Sequence, residues 1–322
     1  MPLFDSYIMV DWSGGARRRA NRSDTIWMAH GRMSADHPAT TSPFSRTEAI
    51  ELIAAMLVEA MASNLRVLVC FDFAYGYPRD FSASLQTATG KGGSDLPWLQ
   101  VWRYLSEAIK DDVGTAPGRK PTNRSNRFEV ANQINALLSV SPEAAGPFWC
   151  AGNEPYLYLP QTRPPQPFQT AQGYTIRPFR LTDERARSGT PFRLFGTASV
   201  GSQSLTGIAQ LHKLRYDHRF EAKSAVWPFE TGWATKVNWL PENISILHAE
   251  IYPSVREPKP DTIKDRGQVR AMWEWARELD RQELVWCEFC RPADIDPGSK
   301  EDIAIQLTEG WILGASPTVR NQ

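Results

Sequence analysis

Three acidic residues share one local pattern. Asp11 closes the apolar run Tyr7-Ile8-Met9-Val10 and is followed by Trp12-Ser13-Gly14-Gly15. Asp72 closes Val67-Leu68-Val69-Cys70-Phe71 and precedes Phe73-Ala74-Tyr75-Gly76-Tyr77-Pro78. Glu250 follows the run from Ile244 to Ala249 and precedes Ile251-Tyr252-Pro253-Ser254. Short apolar runs bounded by turn residues read as buried strands, which places each acid at a strand's carboxyl end, where open α/β sheets bind ligands. On neighbouring strands the three carboxylates would converge. Two carboxylates about 4 Å apart repel by roughly 4 kcal/mol at an effective dielectric of 20, so such a cluster needs a proton, a basic partner or a cation. A hard divalent ion, Mg²⁺ or Mn²⁺, is the simplest remedy. A single strand-end acid commonly caps a turn; three in one context favour a site.

Around the acids stand candidate binding residues. The turn Ser13-Gly14-Gly15 reads either as a plain hairpin or as a phosphate loop whose backbone N–H groups face an anion. The latter resembles the first phosphate loop of actin-like and sugar-kinase ATPases. Gly196 to Ser202 (GTASVGS) has P-loop glycine spacing, but Ser202-Gln203 replaces the required Lys-Ser/Thr, which excludes a Walker site and leaves a helix start able to hold one phosphate. Arg17, Arg18, Arg19 and Arg22, with Arg119, Lys120, Arg124 and Arg127, are cations for an anionic groove; a solvated loop is the plainer reading of the first three. Lys264 follows the third acidic strand and could balance the carboxylates or contact a phosphate, or could be a surface lysine. His248 shares a strand face with Glu250. Cys287 and Cys290 form a lone CxxC without a second pair, weak grounds for zinc. No GxSxG elbow is present.

The elements that must carry these residues follow from periodicity. Helices are expected over 48–62, 97–112, 124–138, 202–216 and 267–280, with a last one from Ser299 to about Leu313; a short strand fits 24–32. Nine of the 24 prolines fall between Ser141 and Pro191, so that region reads as a loop-rich insertion. The chain of 322 residues, with 36 basic and 36 acidic side chains, is neither a polybasic nor an acidic-tail protein, and zero net charge argues against tight non-specific nucleic-acid binding. No apolar run reaches the roughly 18 residues of a membrane span. The N-terminus lacks a secretory signal, and four cysteines make no disulfide framework, so a reducing cytoplasm is expected.

The segments VDWSGG, FDFAYGYP, AEIYPS and KDRGQVR, with an acid-bearing last helix ending EGWILG, resemble a bacterial family of unknown function whose members are predicted RNase H-like nucleases. The likeness comes in islands, at 7–16, 67–79, 124–135, 195–207, 226–230, 244–270 and 301–314, and omits the proline-rich insertion. It implies an RNase H-like mixed sheet flanked by helices: a core of 1–80 and 196–322, with 81–195 as a helical and proline-rich insertion. It also implies acids at the ends of the first and fourth strands and on the last helix, which match Asp11, Asp72 and Asp302, with Glu309 as the rival to Asp302 and Glu250 as an extra acid.

The expectation is therefore a metal-dependent phosphodiesterase or nuclease. Asp11, Asp72, Glu250 and Asp302 would bind Mg²⁺ or Mn²⁺, and Lys264 would assist. Ser13, Gly14, Gly15, Arg124, Arg127 and Ser202 would hold a nucleic acid or nucleotide. An actin-like phosphotransferase or ATPase with the phosphate loop at 11–15 is the alternative, and a non-catalytic binding protein that kept the fold is the third reading.

Overall fold

A computed structural model of the 322-residue chain describes residues 1–90, 95–114, 116, 118–152, 155–196 and 199–315. The acidic runs do form strands. β1 (Ser6–Asp11), β4 (Val67–Phe71) and β8 (Ile246–Ile251) lie side by side and parallel, because each is apolar on both faces and is buried on both. β2 (Trp27–Arg32) pairs antiparallel with β1, and β3 (Ala39–Thr41) antiparallel with β2. β7 (Ser224–Val226) and β9 (Ile312–Leu313) share the outer edge of β8 end to end. The result is a mixed seven-stranded sheet of order β3-β2-β1-β4-β8-β7, with β9 also on β8. A separate hairpin joins β5 (Phe168–Gln169) to β6 (Thr175–Ile176).

Alternation along the strands divides the core in two. Ile8, Val10, Val69 and Phe71 face one side, covered by α1 (Arg46–Ala62), α2 (Phe81–Thr89), α3 (Pro97–Ala108), α4 (Arg127–Leu138) and α6 (Gly201–Arg215). Tyr7, Met9, Leu68 and Cys70 face the other, covered by α7 (Lys264–Arg281), whose Val269, Met272, Trp273 and Ala276 make one apolar stripe. Asp280, near the end of α7, accepts the N–H groups of Leu3 and Phe4 and the Tyr7 hydroxyl, fixing the helix against β1. The 81–195 segment packs into the first core through Phe81, Phe148 and Phe192, so its side chains share a core with the sheet. It also carries α5 (Leu181–Ala186).

Several boundaries differ from expectation: α3 ends at Ala108 rather than 112, and α4 begins at Arg127 rather than 124. α7 begins at Lys264, three residues before the expected start at 267. The last helix is short: α8 (Lys300–Ala304) passes into a π-helical turn over Ile305–Glu309, Gly310 leaves the helix at φ +72°, and Ile312–Leu313 joins the sheet as β9. The strand claims residues that would have been the helix's end. Among the described residues no helix is long and apolar enough to cross a membrane.

Candidate active site

β1 and β4 are paired through Val10 and Phe71, so Asp11 and Asp72 are the next residues on adjacent parallel strands. Both have the parity of Met9 and Cys70 and leave the sheet on the α7 side. The Asp72 carboxylate accepts the Trp12 N–H at 2.6 Å, tying the two strand ends together. Opposite them Asp265 stands in the first turn of α7, and its Oδ2 accepts the Asp24 N–H at 2.7 Å. Lys264 precedes it.

Burial drives the electrostatics. It pushes the Asp11 carboxyl well above the usual range; Asp72, Asp265 and Asp24 add to this, and Lys264 opposes it. Asp72 is pushed up to about 7, chiefly by burial, against the lowering effect of the Trp12 N–H. Asp265 is also raised, again by burial first. These four carboxylates face one lysine, a formal charge of −4 + 1 = −3 when all are ionised. An arrangement of like charge partly withdrawn from water favours a proton or a cation.

Glu250 sits otherwise than expected. β8 continues through Ile251, and Glu250 is in register with Phe71, one residue short of Asp72. It therefore belongs to the opposite face. There its carboxylate is held by both Arg180 Nη atoms at 2.6 and 2.7 Å, and by the Tyr75 N–H at 2.9 Å. Arg180 is buried and also binds Asp183 and the Glu309 carbonyl. Burial raises Glu250 while Arg180 lowers it. Glu250 lines the cleft, but as the partner of an arginine rather than as an open ligand.

Asp302 is a second correction. It lies on the last helix, but its carboxylate accepts the Trp233 indole N–H, the Gln306 amide and the Gly298 N–H, all at 2.7–2.8 Å. Burial pushes it up, yet these donors win and hold it below the usual range. Neither it nor Glu309, which accepts the Leu181 and Arg79 N–H groups, lines the cleft.

The cleft over Asp11, Asp72 and Asp265 measures about 990 Å³. One wall is the loop after β1. Buried Arg46 Nη1 donates to the carbonyls of Ser13 and Gly15 at 2.9 and 3.0 Å. In a trans peptide the following N–H points the opposite way, so the N–H groups of Gly14 and Ala16 face away from Arg46. Both residues line the cleft, and neither N–H has an acceptor among the described residues. The loop touches the start of α6, where a Cβ on Gly14 would stand 2.8 Å from that of Ser202; only glycine permits this approach. Ser13 Oγ bonds the Asp24 carbonyl, and Gln203 Nε2 bonds the Trp12 carbonyl. Thr197 and Ala198 of the GTASVGS stretch lie outside the described residues.

Of the expected cations, Arg17, Arg19, Arg127 and Lys264 line the cleft; Arg22, Arg119, Lys120 and Arg124 do not. Arg18 instead pairs with Glu48 and lies over Phe44. Arg127 is buried and donates to Ser202 Oγ at 2.9 Å, joining α4 to α6. Ser202 Oγ in turn donates to the Leu194 carbonyl at 2.6 Å. His248 is buried beside Ser224 Oγ. Cys287 and Cys290 have thiols pushed up by burial and remain free cysteines.

Asp265, Arg46 and Arg180 were missed from sequence. Asp265 had a signal, standing next to Lys264 in KDRGQVR; the late helix start hid it. Compared with protein-family models, with curated proteins and with solved structures, the chain has no significant match in any of the three.

Among the described residues no three His, Cys, Asp or Glu side chains form a ready-made ion cage. Two adjacent carboxylates nevertheless suit Mg²⁺ or Mn²⁺, since Mg²⁺ commonly takes one or two carboxylates and completes its shell with water and substrate phosphate.

Proposed function

We propose that this protein is a metal-dependent phosphodiesterase acting on nucleic acid, built on an RNase H-like core. The observation that carries the reading is the pair Asp11 and Asp72 on adjacent parallel strand ends, half-buried, of like charge, and without an arginine partner among the described residues. The strand order, with antiparallel β1–β3 followed by parallel β4 and β8, supports the fold. The cleft's outward N–H groups and its exposed Arg17 and Arg19 support an anionic substrate.

Asp11 and Asp72 would hold Mg²⁺ or Mn²⁺, which when bound supplies Lewis acidity toward a phosphoryl oxygen and the attacking water. The chain's residues do the rest. The Gly14 and Ala16 N–H groups orient a non-bridging phosphate oxygen. Asp265 keeps Oδ1 for the proton of the attacking water, because Oδ2 is taken by the Asp24 N–H. As the water oxygen bonds to phosphorus, the P–O bond to the leaving sugar oxygen breaks, and the Lys264 ammonium gives that oxygen a proton.

The test is a cleavage assay on labelled oligonucleotides with Mg²⁺ or Mn²⁺, comparing the wild type with Asp72→Asn. The wild type should cut, and the variant should lose at least 100-fold in rate while still binding the strand. Uncut oligonucleotides, together with a melting-temperature gain from ATP and Mg²⁺, would replace this reading with that of an ATPase using the same acids.

A further inference from the structure

We propose that the cleft takes single-stranded nucleic acid, with one unpaired base stacked on Phe195; this rests on the nuclease reading above. Phe195 lines the cleft and is 54% exposed there. Its ring is seated, not loose. A Cβ built on Gly152 would lie 3.5, 3.6 and 3.6 Å from ring atoms Cγ, Cδ1 and Cδ2, and near-equal distances turn one ring face toward the space a side chain at 152 would fill. Gly152 has φ +74°, which a side chain rarely adopts, so this backbone face is open to the ring. One ring face is turned toward Gly152, and the side chain as a whole is 54% exposed.

The shelf is also fixed in place. The segment before it is paired: the Trp149 N–H bonds the Phe192 carbonyl at 3.1 Å and the Leu194 N–H bonds the Trp149 carbonyl at 3.0 Å. Leu194 is buried. A ring held this way loses little freedom on binding. Half-buried Tyr252, which follows β8, also lines the cleft and offers a second aromatic face. Arg17 and Arg19 are exposed on the loop after β1.

Aromatic faces beside arginines, over a floor of acids, match a strand whose phosphates meet the cations while a base stacks. In a duplex the base faces are stacked on each other and closed to the protein. A shelf for a ring therefore selects an unpaired base. A volume of about 990 Å³ accommodates a short stretch of strand.

The test uses the full chain, with Ca²⁺ in place of Mg²⁺, and fluorescence anisotropy on four probes: a 12-nucleotide DNA strand, the same strand in RNA, the corresponding duplex, and an abasic strand of equal phosphate number. The wild type should bind a single strand at least 10-fold more tightly than the duplex. Phe195→Ala should lose roughly 10-fold on the better of the two strands and be unchanged on the abasic one. Phe195→Tyr should restore binding, and both variants should melt with the wild type because the ring is exposed. Equal or tighter duplex binding, or an unaffected Phe195→Ala, overturns the inference and leaves the nuclease reading standing. Absence of binding to all four probes overturns both.

Discussion

Asp11 and Asp72 are costly to ionise together, and the cost has a pH signature. The folded-state pKa of Asp72 is raised to about 7 from an unfolded value near 4, and that of Asp11 is raised too. The folded state therefore binds more protons than the unfolded one across that window, and the stability this contributes is full below about pH 4 and lost as pH rises toward 7. In metal-free buffer the wild type should lose melting temperature over this range, while Asp72→Asn should show a flatter profile. At pH 8 the variant should be the more stable by roughly 1–2 kcal/mol, a few degrees. Thermal melts with a chelator check this; parallel profiles would contradict it. Mn²⁺ at pH 8 should raise the melting temperature of the wild type and not of the variant. These two acids were legible in the sequence because each ends a short apolar run. Glu250 looked equivalent, but its strand runs one residue further, and register, which decides the face, is not written in a single strand.

At the scale of elements, the Arg180 cluster locks the proline-rich segment to the sheet. Arg180 and Glu250 lie 70 residues apart in sequence and meet in a bidentate pair out of water. Removing the arginine strands two buried carboxylates, so Arg180→Met should cost about 3–5 kcal/mol in chemical denaturation. Glu250→Gln leaves Arg180 bound to Asp183 and should cost less. It should also retain most metal-dependent cleavage, unlike Asp72→Asn; a loss equal to that of Asp72→Asn would restore Glu250 as a ligand. No periodicity in the 141–191 region announces this contact, which is why a loop-rich stretch was readable there and its buried arginine was not. Helices with a clear apolar stripe, such as α7, were readable. Asp265 was lost because the stripe starts at Val269, whereas the helix is entered a full turn earlier. The last helix was overread for the opposite reason: Ile312 and Leu313 fit a helical pattern, but the open edge of β8 takes them.

Across the whole molecule the 36 cations and 36 acids cancel in number but not in place. Acids occupy the cleft floor, while Arg17 and Arg19 are exposed on one wall. Binding of a single strand should then depend only mildly on salt. With Arg17, Arg19 and Lys264 as the phosphate contacts, the slope of log affinity against log salt should be about −2. Replacing both arginines with alanine should reduce it by about 1.4, and a slope steeper than −5 would require a surface outside this cleft. The parallel order of β1 and β4 sets Asp11 and Asp72 at neighbouring strand ends, where we propose that they share a metal ion. An anomalous difference map from a crystal soaked in Mn²⁺ tests it directly. A peak is expected about 2.1 Å from a carboxylate oxygen of both Asp11 and Asp72. No peak between them at saturating Mn²⁺, in a crystal where both side chains are ordered, would contradict it.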